Sequence, residues 1–363
     1  MAITEAQVQE LLKQSIDPTI GKDYVAAKEI KKVAVSGGDV AVEVVLGYPA
    51  KSQLTAVRAQ LEQALASLPG IGKVSVEVSF KIVAHAVQGA LQRVPGVRNI
   101  VAVASAKGGV GKSTVAVNLA LALAAEGAAV GILDADIYGP SQPMMLGLQG
   151  QRPTSPDGKS LDPMRSHGLQ AMSIGFLIDL EQPMVWRGPM VTQALEQLLR
   201  DTRWSDLDYL IVDMPPGTGD IQLTLAQKVP VTGAVIVTTP QDIALLDARK
   251  GLKMFEKVNV PILGIVENMS THICSKCGHR EPIFGEGGGE RMAAQYGVAL
   301  LGSLPLDIRI REQADSGNPT VAAEPDGPVA QTYKEIARKV AVRIAEKAQD
   351  YSAAFPKIVI QNT

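Results

Sequence analysis

The features that this chain lacks already exclude several classes of protein. It has no apolar run long enough to span a bilayer and no basic-then-apolar N-terminal signal, so the sequence predicts a soluble cytoplasmic protein. Its 35 lysines and arginines nearly balance 37 aspartates and glutamates, which leaves no overall field to attract nucleic acid or an anionic membrane. We therefore expect neither as a partner. Cysteine is scarce, and the two present, Cys274 and Cys277, form one Cys-x-x-Cys, which in a reducing compartment indicates a metal or redox site.

The chain length and composition are typical of globular protein and suggest two domains, since 363 residues contain 46% hydrophobic and 20% charged residues. Residues 1–80 are predicted to form a small α+β domain. A capping box at Thr4, a hairpin around 37–39, a helix over 51–68 and an alternating strand over 74–80 support this prediction. The expected order is then a linker at 81–98, a second domain at 99–350 and a C-terminal tail at 351–363.

From residue 99 onward, short apolar runs alternate with helical patterns. The runs occupy residues 129–133, 209–212, 234–237, 262–266 and 299–302. This alternation predicts an α/β fold with a mostly parallel sheet covered by helices on both faces. Ligands of such sheets bind beyond the carboxyl ends of the strands, where the loops lie.

A glycine-rich segment joins the apolar run 99–104 to a helix predicted over 115–125. Strand, glycine-rich turn and helix in this order form a phosphate cradle, because backbone N–H groups and the positive helix N-terminus face the anion. Lys112 is predicted to reach the β- and γ-phosphates, and Ser113 to place its hydroxyl on Mg²⁺. The sequence therefore predicts binding of a nucleoside triphosphate. The predicted phosphate-binding residues are Gly108, Gly109, Val110, Gly111, Lys112, Ser113 and Thr114.

This loop departs from the common P-loop at two positions. Ala106 stands where the first glycine is usual, and a second lysine, Lys107, follows it. In this form the loop resembles that of the MinD/ParA/nitrogenase-iron-protein class of ATPases. The resemblance implies that Lys107 reaches the phosphates of a partner subunit and adds positive charge there, as an arginine finger does. The alternative is a solvated loop lysine.

Aspartates follow two of the predicted strands. Asp213 ends an apolar strand beside the phosphate loop, which favours a role as the Mg²⁺ partner, often through water. Asp136 lies on a loop after 129–133 and is our candidate for orienting the attacking water. Asp134 and Asp220 fit strand-end or turn caps equally well. The predicted catalytic residues are Lys107, Lys112 and Asp136.

The identity of the nucleotide base is predicted from the absence of a guanine-binding motif. Guanine readers in related folds use Asn-Lys-x-Asp, whose aspartate pairs with the base. Here the segment after 262–266 keeps the asparagine, Asn268, but has Thr271 where the aspartate is required. ATP is therefore favoured, with Asn268 as a predicted adenine contact; a loop-capping asparagine is the alternative.

The Cys-x-x-Cys pair allows several chemistries. Two thiolates at this spacing bind one metal ion or one edge of a cluster. A 4Fe–4S cluster usually takes four cysteines, which a symmetric dimer supplies by pairing the motif across its two-fold axis. Zinc completed by His272 or His279, a redox disulfide and an inert pair remain as alternatives.

Six segments carry a further set of motifs: the run 85–100, the lysine-rich loop, and residues 134–141, 186–189, 213–220 and 274–277. Together they resemble the Mrp/ApbC/Nbp-type iron–sulfur cluster carrier ATPases, and the match runs through nearly the whole chain. The resemblance implies a homodimer that binds ATP and Mg²⁺ and hydrolyses ATP weakly. It also implies that a labile 4Fe–4S cluster is held between the two subunits and is passed to apoproteins, with assembly factors as further partners. The N-terminal domain is similar to one found alone in other iron–sulfur assembly factors, although residues 47–50 lack the reactive cysteine that some carry.

Two other classes of protein compete with this interpretation. One is a spatial-organising ATPase like MinD or ParA, with a zinc-binding or inert Cys-x-x-Cys. Its best support is an apolar stripe between basic residues of the C-terminal helix, although such a stripe more often packs on its own domain than on a membrane. The other is a metabolic kinase, for which no acceptor site is evident; Trp186 and Arg187 have no assigned role. The stripe consists of Val329, Tyr333, Ile336, Val340 and Ile344.

Overall fold

A computed structural model describes residues 3–88, 91–178, 188–274 and 276–347 of the chain. Its two largest sheets have three and eight strands, and the smaller sheet comes first along the chain. No helix within these residues is both long and apolar enough to cross a membrane.

The N-terminal part is built around a three-stranded sheet. Strands β3 and β4 form the predicted antiparallel hairpin, and β5 pairs parallel to β4. The predicted capping box is confirmed, because Thr4 and Gln7 satisfy each other's backbone N–H groups at the start of α1. The predicted helix over 51–68 is shorter than expected. The elements are α1 (Glu5–Leu12), β1 (Ile16–Asp17), β2 (Lys22–Asp23), β3 (Ile30–Ser36), β4 (Asp39–Leu46), α2 (Leu54–Leu65) and β5 (Val74–Phe80).

The larger part begins with β6 and ends with α11. Its elements are β6 (Val97–Ala104), α3 (Lys112–Ala125), β7 (Val130–Asp134), α4 (Gln142–Met145), β8 (Met164–Ser166), β9 (Leu169–Ser173), α5 (Gly188–Asp201), β10 (Leu207–Asp213), α6 (Asp220–Lys228), β11 (Gly233–Thr238), α7 (Asp242–Lys257), β12 (Ile262–Glu267), β13 (His272–Ile273), β14 (Arg280–Glu281), α8 (Gly288–Tyr296), β15 (Leu300–Ser303), α9 (Ile308–Asp315), α10 (Thr320–Ala323) and α11 (Pro328–Ala345).

The eight-stranded sheet has the order β15-β12-β11-β6-β10-β7-β9-β8. Every neighbouring pair is parallel except β8 with β9, which is antiparallel. The predicted α/β fold with a mostly parallel sheet is therefore confirmed. The carboxyl ends of parallel strands lie at one edge of a sheet, so the loops after β6, β7, β10 and β12 come together there.

The last helix packs inside the chain. The five residues of its apolar stripe are each at most 9% exposed, and α11 lies against α3 and β15. Helix α3 is in turn covered by the sheet on one side and α11 on the other, which explains why it is apolar around most of its circumference. The stripe is therefore a face that packs inside the chain. It does not support the alternative of a spatial-organising ATPase that acts at a membrane.

Candidate functional site

The loop between β6 and α3 has the backbone shape of a phosphate cradle. Gly109 and Gly111 both have φ near +80°, a conformation that residues with a side chain rarely adopt. Gly111 is also the N-cap of α3, so the helix starts at Lys112 with its positive end turned towards the loop. Lys107 lies exposed on this loop, and its carbonyl oxygen accepts a 2.9 Å hydrogen bond from the Ser105 hydroxyl.

The ammonium group of Lys112 lies between a carboxylate and a hydroxyl. It forms an ion pair with Asp213, at the carboxyl end of β10, and donates a 3.1 Å hydrogen bond to Ser113 Oγ. Lys112 and Asp213 are buried, at 6% and 0% exposure. The three residues that the sequence assigns to phosphate and Mg²⁺ are therefore neighbours in the fold. Hydroxyl and carboxylate oxygens are the ligands that Mg²⁺ prefers.

Gln142 belongs to this group, and the sequence analysis missed it. Its side-chain amide donates to Asp213 Oδ2 at 2.9 Å and to the Ser113 carbonyl oxygen at 3.2 Å. The residue is 1% exposed and lies in the short helix α4. Gln142 thus fixes the orientation of the Asp213 carboxylate. Its place in a four-residue helix, far from the P-loop in sequence, gives no local signal of this contact.

The two aspartates after β7 differ in surroundings. Asp134 is fully buried and accepts hydrogen bonds of 3.0 Å from the backbone N–H groups of Ser141 and Gln142, as well as one of 3.1 Å from the Ser173 hydroxyl. Asp134 therefore stabilises the start of α4, in agreement with the prediction that it could be a capping residue. Burial, followed by the charge of Asp213, raises the pKa of Asp134 to about 7. Asp136 is half-buried, and burial raises its pKa while the charge of Lys112 opposes the rise.

Asp220 is the first residue of α6, with an exposed side chain, at the position where acidic residues stabilise a helix N-terminus. The preceding loop touches the phosphate cradle, since the Gly217 N–H donates a 3.0 Å hydrogen bond to the Ser105 carbonyl oxygen. The loop that follows Asp213 is therefore in direct contact with the P-loop.

Asn268 contacts the P-loop from the end of β12. Its side-chain amide donates a 2.9 Å hydrogen bond to the Val110 carbonyl oxygen, and its backbone N–H bonds to the Thr238 carbonyl oxygen at 2.8 Å. The side chain leaves no room for a Cβ atom on Gly111. In this conformation Asn268 supports the loop, as the loop-capping alternative expects, and its contact with adenine stays a prediction.

The two cysteines lie in the loop of a short hairpin formed by β13 and β14. The backbone N–H of Cys274 donates to the His279 carbonyl oxygen, and the Gly278 N–H donates to the Cys274 carbonyl oxygen, both at 2.9 Å. Both thiols are free, with Cys277 exposed and Cys274 partly so. The backbone N–H of Cys277, then that of Lys276, lowers the pKa of the Cys274 thiol. A lowered pKa favours the thiolate, which is the form that binds metals.

No group of three or more histidine, cysteine or acidic side chains is placed to hold a metal ion among the residues that the structure describes. His272 contacts the Leu306 carbonyl oxygen through Nδ1 at 3.4 Å, and the backbone of His279 closes the hairpin loop. Among the described residues, one chain therefore presents two thiols, one exposed and one partly exposed, and no complete metal site. Trp186 and Arg187 lie outside the described residues.

Comparisons with known proteins identify the family of the chain. Residues 96–341 match the ParA family described as NUBPL iron-transfer P-loop NTPase, and residues 5–78 match the family described as iron–sulfur cluster assembly protein. The chain is 53% identical over 338 residues to the iron–sulfur cluster carrier protein of Haemophilus influenzae, which covers 93% of this chain and 91% of that protein. The chain belongs to the family of iron-transfer P-loop NTPases.

Solved structures similar to this iron-transfer NTPase share its larger part. A nucleotide-binding protein from Archaeoglobus fulgidus, solved in complex with ADP, superimposes with a TM-score of 0.57 at 37% identity, covering 66% of this chain and 93% of that one. The cell-division ATPase MinD of Pyrococcus furiosus superimposes with a TM-score of 0.50 at 22% identity, covering 67% and 98%. The second likeness concerns the fold alone, and it confirms the predicted MinD-like architecture.

Proposed function

We propose that this protein is an ATP-hydrolysing carrier of 4Fe–4S clusters that works as a homodimer. The observation that carries the proposal is the pair of free thiols, Cys274 and Cys277, on a surface hairpin of a chain that belongs to the iron-transfer NTPases. Two sulfur ligands hold half of a 4Fe–4S cluster. The cluster is the cargo of this protein, so a site completed by a second copy suits its release.

Pairing of two hairpins across a two-fold axis brings four thiolates together. The exposure of Cys277 allows it to face a second copy, and the lowered pKa of Cys274 favours the thiolate required for iron binding. Because the second copy supplies the same two cysteines, a symmetric interface completes the four ligands with cysteine alone. Clusters held at such a surface are accessible to apoproteins, the proposed recipients, and residues 5–78, matched by an assembly-protein family, are the proposed contact for assembly factors.

The proposed nucleotide is ATP, bound by residues 108–114. The positive end of α3 and Lys112 bind the β- and γ-phosphates, which displaces the lysine from Asp213. Mg²⁺, held by Ser113 and by Asp213, would neutralise developing charge on the transferred phosphoryl group. Asp136 is proposed to orient the attacking water, and Lys107 to reach the phosphates of the second copy. The similar Archaeoglobus fulgidus protein, solved in complex with ADP, supports the proposal that this chain binds a nucleotide.

Anaerobic reconstitution with iron and sulfide tests the cargo. We expect a broad absorbance at about 400 nm and about four irons for every two chains, as 4Fe–4S thiolate clusters have. Substitution of Cys274→Ala or Cys277→Ala is expected to remove both signals. His272→Ala and His279→Ala are the matched controls, since neither imidazole ligates iron in this proposal. Stoichiometric zinc without colour, lost in the histidine variants, would show that the site is a zinc site.

A further inference from the structure

A cleft of about 510 Å³ separates the N-terminal part of the chain from the end of α11. This volume is within the range of about 300–1,000 Å³ typical of ligand-binding sites. Neither the P-loop nor the cysteine hairpin contributes to its lining. The cleft is thus a second site, separate from both parts of the proposed carrier machinery.

Positive charge dominates the polar lining of the cleft. Lys22, Lys28 and Lys31 come from the N-terminal part, and Lys347 follows the end of α11. One exposed carboxylate faces them, that of Glu346, which pairs with Lys22 at 2.7 Å. The excess of lysines stands out in a chain whose net charge is −2. Such a site attracts anions.

A second carboxyl group in the wall does not cancel this charge. Glu29 is 3% exposed, and burial, followed by the charge of Asp17, raises its pKa to about 8. Its side chain is therefore mostly uncharged at neutral pH. The lysines are also arranged by local contacts, since Lys31 Nζ donates a 2.7 Å hydrogen bond to the Lys28 carbonyl oxygen.

Apart from Gly47 and the buried Tyr48, whose hydroxyl donates to Asp17, the remaining lining is aliphatic. Ile20 and Val45 come from the N-terminal part, whereas Val342 and Ala345 come from α11. A ligand that suits this surface carries carboxylates for the lysines and apolar groups for the walls between them. A peptide of mixed acidic and aliphatic residues has both, and it offers enough length to contact the two sides of the cleft.

We propose that this cleft binds a short acidic peptide segment of a partner protein, with its carboxylates on Lys28 and Lys31 and its aliphatic side chains against the walls. The inference goes beyond the carrier function, because neither nucleotide nor cluster takes part in it. The occupant contacts the N-terminal part and α11 together. Peptide binding is therefore expected to raise the thermal stability of the chain.

The test uses the full-length protein without cluster and a short fluorescent peptide of alternating glutamate and leucine. Fluorescence anisotropy should show saturable binding that weakens as salt is added. Matched peptides with glutamine or lysine in place of glutamate should bind far more weakly. The double variant Lys28→Glu/Lys31→Glu should lose affinity by about tenfold or more, as expected when exposed attractions become repulsions.

Two further variants locate the binding site. Lys250→Glu/Lys253→Glu makes the same change of charge on the exposed face of α7 and should leave peptide affinity unchanged. Ala26→Trp fills the cleft without changing its charge and should weaken binding. Thermal unfolding of each variant, with the milder Lys28→Gln/Lys31→Gln alongside, shows that the chain still folds.

Three results would overturn the proposal. Equal affinity for the glutamine peptide would show that charge is not recognised. Equal loss of affinity in the α7 variant would show non-specific attraction to the whole surface. Binding of vesicles containing anionic lipid, with no binding of the acidic peptide, would assign the lysines to a membrane surface.

Discussion

Arg338 in the last helix forms a 2.5 Å ion pair with Glu126, the residue that caps the C-terminal end of the P-loop helix. The Glu126 carboxylate also accepts hydrogen bonds from the backbone N–H and the hydroxyl of Ser52, at 3.0 and 2.7 Å. One buried carboxylate therefore joins α11, the N-terminal part of the chain, and the far end of the helix that begins at Lys112.

Removal of this carboxylate should destabilise the protein strongly. Glu126→Ala leaves the Arg338 guanidinium, whose side chain is 10% exposed, without a carboxylate and with only a 3.4 Å hydrogen bond to the Ser52 hydroxyl. We expect a loss of about 3–5 kcal/mol in the free energy of unfolding, because an unpaired buried charge is costly. Urea unfolding measures it. Lys250→Ala, which breaks an exposed pair with Asp247, should cost less than about 1 kcal/mol. Similar losses in the two variants would contradict the buried role of Glu126.

Glycine is required at particular positions of the phosphate loop. A Cβ atom at Gly111 meets the Asn268 side chain, and the backbone φ there is +80°. Gly111→Ala should therefore weaken ATP binding by roughly tenfold or more, since strain of about 1–3 kcal/mol adds to the displacement of the Asn268 amide. Gly108→Ala is the matched control, because its Cβ has open space and its φ is not positive. Calorimetric titration with ATP compares them, and equal affinity in both variants would refute the cradle geometry.

The two lysines of the loop should act at different steps. Lys112→Ala is expected to remove ATP hydrolysis by loss of the phosphate contact, while cluster assembly remains possible. Lys107→Ala should keep ATP binding and lower hydrolysis by roughly 10³-fold or more, the effect of a missing arginine finger. Phosphate-release assays at saturating ATP measure both. Wild-type hydrolysis by the Lys107 variant would mean that this side chain is a solvated loop lysine.

Glu29 should make stability depend on pH. Burial and the charge of Asp17 raise its pKa from 4.5 to about 8 in the folded chain. The folded state therefore holds this proton more tightly than the unfolded state, so the free energy of unfolding falls as pH rises from about 4.5 to about 8. Glu29→Gln removes the titration and should be more stable than wild type above pH 8, by roughly 2–4 kcal/mol. Parallel stability profiles for the two proteins across this range would contradict the raised pKa.

Much of the fold could be predicted from local patterns. The hairpin of β3 and β4, the P-loop before α3 and the strands of the parallel sheet each follow from residues adjacent in sequence. Strands β8 and β9 were missed, because β9 contains a buried polar residue that breaks the apolar run. That residue, Gln170, is 6% exposed and is satisfied by a 2.9 Å hydrogen bond to the Ser205 carbonyl oxygen. A partner so distant in sequence leaves no local pattern.

In the candidate site, the motif residues could be predicted from the sequence, whereas the long-range contacts that position them could not. The motif predicts Lys112, Ser113 and Asp213, and the fold places them together. The contacts that position them join segments 71 residues apart, for Gln142 with Asp213, and 158 residues apart, for Asn268 with Val110. Such pairs depend on which strand ends meet at one edge of the sheet, and a single sequence carries no record of that.

Native mass spectrometry of the cluster-loaded protein tests the central claim most directly, since Cys274 and Cys277 of one chain supply half of the sulfur ligands required. We expect a species of two chains and one 4Fe–4S cluster, which separates into cluster-free single chains when the iron is chelated. A single chain that retains a complete 4Fe–4S cluster, or a dimer that holds one cluster in each chain, would contradict the shared site.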